Sequence, residues 1–178
     1  LTAYAIDDSW IGVQADHILS QHLNQAVIVM NDADAAGIAE MRFGVGKDIK
    51  DVVILLTIGT GLGSALFYDG RLIPNFEIGW MEIGNKHTGS YFAGSAMERD
   101  NLNWEQWGAR FHIVLSVLDK MFRPRLFILG GGFSEFIESF SPYIKISAEV
   151  KPAKLRNHAG IIGAAIAASE KLGIVKDM

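Results

Sequence analysis

The stretch DVVILLTIGTGLGSALFYDGRLI, residues 51–73, constrains the fold more than any other part of the sequence. Two apolar runs rich in β-forming residues are joined through TIGTGLG, whose three glycines leave the backbone free to bend sharply. The dipeptide Asp69-Gly70 then predicts a tight turn into a further short strand. A glycine-rich turn between strands is either a structural hairpin or a concave array of backbone N–H groups that binds an anion such as phosphate, with Thr60 adding a hydroxyl donor.

Strand and helix patterns alternate before this stretch. Residues 26–30, AVIVM, form a compact β-rich run that predicts a buried strand. Residues 31–44, NDADAAGIAEMRFG, predict a helix that Asn31 or Asp32 caps and that Gly44 ends. The chain therefore opens with a strand, a polar turn and a helix.

The same alternation continues after the stretch. Residues 103–106, NWEQ, have the form of a capping box at the start of a long helix that ends before Pro124. Residues 125–140, RLFILGGGFSEFIESF, predict a strand, a glycine turn and a helix, and residues 160–173, GIIGAAIAASEKLG, predict a helix of small residues. The whole pattern predicts an α/β protein.

Composition narrows the classes of function. The formal net charge of -4 shows no basic excess of the kind that a broad nucleic-acid surface carries. The sequence has no apolar run long enough to span a bilayer, and the absence of cysteine excludes disulfides and thiolate metal sites. The five histidines show no zinc-ligand spacing. We therefore expect a cytoplasmic protein that has no membrane or nucleic-acid partner and no metal site made of its own side chains.

Polar and glycine residues follow two further predicted strands at their carboxyl ends, where open α/β sheets bind ligands. Asp32 there is either a plain helix cap or a general base for a substrate hydroxyl, with Asn31 fixing the substrate beside it. Gly130, Gly131 and Gly132 form either a structural turn or a backbone surface for a nucleotide or phosphate. Each motif alone is weak. Their order along the chain, strand-ND-helix, strand-GTGLG-strand and strand-GGG-helix, is far more specific.

At these motifs the chain resembles the ROK family of sugar kinases, within the actin and hexokinase superfamily, and most of all the polyphosphate glucokinases of that family. The similar blocks are VMNDADAAGIAEMRFG, LLTIGTGLGSALFYDGRLIPNFEIG, LFILGGG and LRNHAGIIGAA, and the resemblance extends from Thr2 to about Ser169. It implies an α/β fold of ribonuclease H-like, actin/hexokinase-type lobes. Residues 1–46 would be the end of the first, small lobe and residues 47–178 the second, large lobe, with the helix at 159–172 packing back on the first.

The resemblance also implies phosphoryl transfer from polyphosphate or ATP, with Mg²⁺, to the 6-hydroxyl of glucose or a similar hexose. Asp32 would accept the proton of that hydroxyl, and GTGLG would be the second phosphate loop. The implied sites are Asn31, Glu77, Trp80 and Glu82 for the sugar, and Gly59, Thr60, Gly61, Gly63, Gly130, Gly131 and Gly132 for the phosphates or nucleotide. We also expect a homodimer.

Basic residues near the end of the chain are open to two interpretations. Lys151, Lys154 and Arg156 either attract a polyanionic donor such as polyphosphate or are ordinary surface residues. Arg123 and Arg125, close in sequence to the GGG strand, are open to the same two interpretations. The sequence does not decide between polyphosphate and ATP.

Several positions depart from the family pattern. The first phosphate loop, an Asp followed by glycines near the amino terminus, is absent, so we expect a chain that is incomplete both as a fold and as a catalyst. Trp80 stands where the family has His, Gly89 stands near a further acidic sugar ligand, and Ala5 stands where the family has Asn; Glu82 would compensate. The alternative function is therefore a non-catalytic ROK-like sugar or phosphate sensor or regulator with an altered sugar pocket.

Overall fold

The computed structural model describes residues 8–174 of the chain. Its strands are β1 (Val53–Ile58), β2 (Leu62–Tyr68), β3 (Arg71–Ile73), β4 (Glu82–Ile83), β5 (Lys86–His87), β6 (Leu126–Gly130) and β7 (Glu149–Pro152). Its α-helices are α1 (Ala15–Leu23), α2 (Asp32–Phe43), α3 (Thr88–Tyr91), α4 (Ala96–Arg99), α5 (Trp104–Phe122), α6 (Ile137–Phe140) and α7 (Ala159–Lys171).

The main sheet has the strand order β3-β2-β1-β6-β7. β2 is antiparallel to both β1 and β3, whereas β6 is parallel to β1 and β7 is parallel to β6. The hairpin predicted at Asp69-Gly70 is confirmed, because both residues have positive φ angles, 51° and 75°, as a type I′ turn requires. The sequence thus correctly predicted an α/β sheet with a glycine-rich link between its first two strands.

Alternate residues of β1 face opposite helix layers, since side chains of a strand point to its two sides in turn. Val53 and Leu55 pack on the side of α2, together with Ala33. Ile54 and Leu56 pack on the other side, against the buried aromatic and aliphatic stripe of α5. The sheet is therefore the middle of three layers, and its carboxyl edge at β1 and β6 lies beside the amino end of α2.

α5 begins and ends where the sequence predicted. The side-chain oxygen of Asn103 accepts from the backbone N–H of Gln106 at 2.9 Å, and the Gln106 side chain accepts from the backbone N–H of Asn103 at 3.0 Å. This capping box satisfies two backbone donors that a bare helix end would leave open. At the other end Arg123 takes a left-handed conformation, and Pro124 follows.

α7 packs directly on α2 through small residues. Gly163 of α7 is buried against the carbonyl group of Ala35, and Arg42 of α2 forms an ion pair with Glu170 of α7. Because α2 carries Asp32 at its amino end, this contact supports the helix that presents the predicted base. The division of the chain into lobes at residue 46 stays a prediction.

Residues 26–30 are not the buried strand that the sequence predicted. They form no ladder with any strand in the part of the chain that the structure describes, and Val29 is 52% exposed. The backbone N–H of Val27 instead donates to the Ser20 hydroxyl at 3.0 Å. Residues rich in β-formers become a strand only where a neighbouring strand can pair with them, and this segment has no such neighbour among the described residues.

The helix predicted after GGG is also different, since it is split into a 3-10 turn at Gly132–Phe136 and the short α6. The turn is tightened by Ser134, whose N–H and hydroxyl both donate to the carbonyl of Gly131, at 3.1 and 2.7 Å. Within residues 8–174, no helix is both long enough and apolar enough to cross a bilayer.

Candidate active site

Three segments converge at the carboxyl edge of the sheet: the amino end of α2, the glycine turn between β1 and β2, and the glycine turn after β6. Ala33 in the first turn of α2 packs on Gly63, since a Cβ at Gly63 would lie 3.4 Å from the Ala33 Cβ. Thr57 in β1 pairs with Gly63 on one side and Gly130 on the other. The structure therefore brings the three predicted motifs together at one place.

Asn31 links the end of α2 to the segment that carries Glu77. Its side-chain oxygen accepts from the backbone N–H groups of Ala33 and Asp34, at 2.8 and 3.1 Å, so Asn31 is the helix cap. Its amide nitrogen donates to Glu77 Oε1 at 2.6 Å, across 46 residues of sequence. This hydrogen bond therefore fixes the relative positions of two predicted sugar ligands.

Asp32 occupies the first position of α2 and is exposed, whereas Asp34 is buried, with 7% of its surface accessible. Burial, followed by the negative charges of Glu77 and Asp32, raises the pKa of Asp34 to about 6. Burial and the charge of Asp32 also raise the pKa of Glu77 above its usual value. Asp34 and Glu77 therefore both respond to the negative charge of Asp32, which lies at a helix amino end, where the helix dipole favours an anion.

Asp34 was not assigned a role from the sequence, where it was only a second acidic residue near a helix start. Its burial depends on packing that the local sequence does not show. A carboxyl group with a raised pKa beside a predicted base is typical of catalytic sites, and this signal exists only in the folded protein.

The GTGLG turn presents backbone donors outward. The carbonyl oxygens of Gly59, Thr60 and Gly61 all accept hydrogen bonds from within the protein, from Ser95 N, Ser95 Oγ and Gly59 N respectively. The N–H groups of Thr60 and Gly61 have no acceptor among the described residues, and both residues are exposed. Two adjacent outward N–H groups are the arrangement expected of an anion-binding turn.

The GGG turn approaches β1 closely at Gly131, which has a φ of 76°. A Cβ at this position would lie 2.7 Å from the backbone nitrogen of Ile58, so glycine is needed both for the backbone angle and for the space. Thr57 lies between the two glycine turns with its methyl group toward Gly130. Its hydroxyl has no hydrogen-bond partner among the described residues, and no local sequence pattern marks Thr57 as a site residue.

The predicted sugar-side residues after Glu77 lie on a short hairpin. Trp80 is 53% exposed, and its ring meets the ring of His87 edge to face at 6.0 Å. Glu82 is exposed and pairs with His87 in the β4–β5 ladder. No hydrogen bond joins Glu82 to Asn31 or Glu77. The structure therefore leaves the predicted compensation by Glu82 without support, and Ala5 lies outside the described residues.

Gly89 is closely packed between the segment that carries Trp80 and the GTGLG turn. A Cβ at Gly89 would lie 2.7 Å from the carbonyl oxygen of Gly79, and a Cβ at Gly61 would lie 3.7 Å from the carbonyl oxygen of Gly89. An acidic side chain at position 89 would thus require the Gly79 backbone to move. The backbone around position 89 therefore has room only for glycine.

Of the basic residues, Lys154 and Arg156 are exposed just after β7, at the same edge of the sheet as Gly130. Lys151 lies within β7 and is paired with Glu149 at 2.8 Å. Arg125 directly precedes β6, at the opposite end of that strand from the glycine turn, and Arg123 lies beside it. The interpretation of Arg123 and Arg125 as residues that attract a polyanionic donor stays a prediction, and the structure places them away from the GGG turn.

Comparison with known proteins agrees with this arrangement. The ROK family model matches residues 7–84. The polyphosphate glucokinase of Mycobacterium tuberculosis (strain H37Rv) is 42% identical over 167 residues, which are 93% of this chain and 63% of that protein. The crystal structure of the inorganic polyphosphate/ATP-glucomannokinase from Arthrobacter sp. strain KM superposes with a TM-score of 0.92 at 39% identity, over 96% of this chain and 68% of that one.

The chain belongs to the ROK family. Its fold is accordingly of the actin/hexokinase type, as predicted. A ROK family glucokinase from Streptomyces griseus, solved in complex with glucose and AMPPNP, has the same fold with a TM-score of 0.77 at 24% identity, over 93% of this chain and 75% of that one. This ROK chain spans 63% of the length of the M. tuberculosis relative.

Metal binding by side chains alone has no candidate in residues 8–174, where no group of three or more His, Cys, Asp or Glu residues is placed to hold an ion. Magnesium in phosphoryl-transfer sites is usually held by one or two carboxylates together with the phosphates of the substrate. Asp32, an exposed carboxylate at the start of the helix that packs on Gly63, is the residue that would contribute such a carboxylate here.

Proposed function

We propose that the protein transfers a phosphoryl group from polyphosphate or ATP to the 6-hydroxyl of glucose or a similar hexose. The observation that supports this most is that the exposed Asp32 begins a helix whose next residue, Ala33, packs on Gly63 of the GTGLG turn. The hydrogen bond of Asn31 to Glu77 and the identity to polyphosphate glucokinases support the same proposal.

In the proposed reaction Asp32 is the general base. The oxygen of the 6-hydroxyl attacks the terminal phosphorus of the donor, the proton of that hydroxyl passes to an Asp32 oxygen, and the bond to the leaving phosphate breaks. Phosphoryl transfer depends mainly on positioning and on stabilising negative charge, so a base that accepts the proton late is sufficient. The amino end of a helix favours a negatively charged group, so the position of Asp32 suits a carboxylate that acts as a base.

The other residues hold the two substrates. Asn31 and Glu77 would bind sugar hydroxyls, since Asn31 keeps one amide N–H as a donor and the Glu77 carboxylate keeps further acceptor positions. The N–H groups of Thr60 and Gly61, with the backbone of Gly130, Gly131 and Gly132, would bind the donor phosphates. Magnesium carried by those phosphates would neutralise charge in the transfer, with Asp32 as the carboxylate within reach.

Residues at the edges of the site would influence which phosphoryl donor and which sugar acceptor the protein prefers. The exposed Lys154 and Arg156 lie beside Gly130, where they would attract a long polyanion, whereas the ion-paired Lys151 would contribute little. Trp80, with one donor on a large ring in place of an imidazole, would shift the acceptor preference away from glucose toward a related hexose. We further propose that the protein acts in the cytoplasm and as a homodimer.

The test is hexose 6-phosphate formation by protein expressed from the complete gene, with magnesium, comparing polyphosphate with ATP and glucose with mannose. We expect transfer from at least one donor to at least one hexose. Calorimetry of sugar and donor binding accompanies the assay. A folded protein that binds both substrates and transfers no phosphate would refute the kinase proposal and would favour the sensor function instead.

A further inference from the structure

Ser95 forms two hydrogen bonds to the GTGLG turn, although no local sequence pattern marks it as a site residue. Its backbone N–H donates to the carbonyl oxygen of Gly59 at 3.1 Å, and its hydroxyl donates to the carbonyl oxygen of Thr60 at 2.7 Å. One residue, distant by 35 positions from Thr60, thus holds two consecutive carbonyl groups of the turn.

Holding a carbonyl group also fixes the N–H of the same peptide unit. A peptide unit is planar and trans, so its C=O and N–H point in opposite directions. The carbonyl of Gly59 shares a peptide unit with the N–H of Thr60, and the carbonyl of Thr60 shares one with the N–H of Gly61. Because Ser95 holds both carbonyls toward the protein, both N–H groups point away from it.

These two N–H groups are the ones that have no acceptor among the described residues. Within residues 59–61, the third N–H, that of Gly59, is already bonded to the carbonyl of Gly61 at 3.0 Å. The donors that Ser95 orients are therefore the ones available to an anion. We propose that Ser95 is a positioning residue that presets the phosphate turn for the donor; this inference rests on the donor half of the proposed function.

The position of Ser95 is itself fixed by the core. The buried indole N–H of Trp107 donates to the carbonyl of Ala93 at 2.9 Å, and Gly94 lies so close to the ring of Phe133, which follows the GGG turn, that a Cβ there would overlap it. Phe133 in turn packs on Trp107, with ring centroids 5.1 Å apart. The cluster of Trp107 and Phe133 thus supports both glycine turns. Ser95 connects this rigid cluster to the GTGLG turn.

Preorganisation of this kind acts on donor binding rather than on sugar binding. Without the hydroxyl, the Thr60–Gly61 peptide unit can rotate, and the donor must order it again on binding. One neutral hydrogen bond contributes about 0.5–1.5 kcal/mol, so we expect Ser95→Ala to weaken donor binding by about 3- to 10-fold. The affinity for glucose should stay unchanged, because Ser95 makes no hydrogen bond to Asn31 or Glu77.

The experiment is isothermal titration calorimetry of inorganic tripolyphosphate, magnesium AMPPNP and glucose, on protein expressed from the complete gene. The variants are Ser95→Ala, Ser95→Thr, which restores the hydroxyl, and Ser90→Ala as a matched control. Ser90 lies in the same region and its hydroxyl makes only a 3.5 Å contact with the carbonyl of His87. We expect weaker binding of tripolyphosphate and AMPPNP in Ser95→Ala alone, with normal binding restored in Ser95→Thr.

Unchanged donor affinity in Ser95→Ala would overturn the inference, and so would an equal loss in Ser95→Ala and Ser95→Thr, which would show a packing effect. A parallel loss of glucose affinity would do the same. If the unaltered protein binds the donors but transfers no phosphate, the proposed function fails while the role of Ser95 is still decided by binding. If it binds neither donor, both proposals fail.

Discussion

Two glycines of α7, only three residues apart, should respond in opposite ways to the same substitution. Gly160 has no atom within 4 Å of the place where a Cβ would stand, whereas a Cβ at Gly163 would overlap the carbonyl group of Ala35 and lie 3.1 Å from its Cα. Helix propensity alone predicts that alanine stabilises both positions, by up to about 1 kcal/mol each. At Gly163, packing against α2 makes the alanine substitution destabilising instead.

The magnitude follows from what must move. The obstacle at Gly163 is backbone of a packed helix, not the end of a flexible side chain, so α7 must shift away from α2. Overpacking of this kind costs about 1–3 kcal/mol, and the upper end applies where backbone must yield. After subtraction of the gain in propensity, we expect Gly163→Ala to lower the free energy of unfolding by about 2 kcal/mol. In a domain of this size that corresponds to a Tm lower by about 4–8 °C.

The assay is urea and thermal unfolding followed by circular dichroism, with Gly160→Ala as the matched variant on the same helix. Gly160→Ala should leave the Tm unchanged or raise it by a few degrees. If both variants raised the Tm, propensity would dominate, and the close contact between α7 and α2 would be refuted. If both lowered it equally, the difference between the two positions in the structure would be wrong.

Three further substitutions test the site and its support. The folded protein holds the Asp34 proton to higher pH than the unfolded chain, so this contribution to stability is present below about pH 4 and is lost as the pH rises through about 6. In urea unfolding, Asp34→Asn should therefore stabilise the protein by about 1–3 kcal/mol at pH 7.5 and by little at pH 4. An equal effect at both pH values would contradict a buried acid at position 34. Trp80→His should raise glucose affinity about 5-fold by calorimetry if the indole alone alters the pocket, whereas an unchanged affinity would indicate a different acceptor. Trp107→Phe should lower the free energy of unfolding by about 1–3 kcal/mol, because the buried carbonyl of Ala93 loses its hydrogen-bond donor. The control Trp104→Phe, which loses no hydrogen bond in residues 8–174, should lower it by less. The reverse order would contradict the role of Trp107 in holding the segment that carries Ser95.

Local signals in the sequence predicted the local structure well. The capping box at Asn103, the hairpin at Asp69-Gly70 and the glycine link between β1 and β2 each depend on residues within a few positions of one another. Such features are determined by backbone geometry and by nearby hydrogen bonds, which a short stretch of sequence contains in full.

Features that depend on distant partners were missed. The apolar run at 26–30 is as suitable for a strand as β1, yet it lacks a neighbouring strand among the described residues. Asp34 acquires its raised pKa from burial and from Glu77, which lies 43 positions later, and Ser95 reaches back 35 positions to the turn. Neither contact leaves a local pattern, because side-chain burial and long-range hydrogen bonds are set by the tertiary fold.

The general-base role of Asp32 is tested most directly by separating binding from transfer in Asp32→Asn. Asparagine keeps the size of the side chain at the start of α2 and removes the group that accepts the proton. We expect hexose affinity within about 3-fold of the unaltered protein, and transfer reduced by at least about 100-fold, the range that a positioned general base contributes. Near-normal transfer by a folded Asp32→Asn protein would contradict the proposed mechanism.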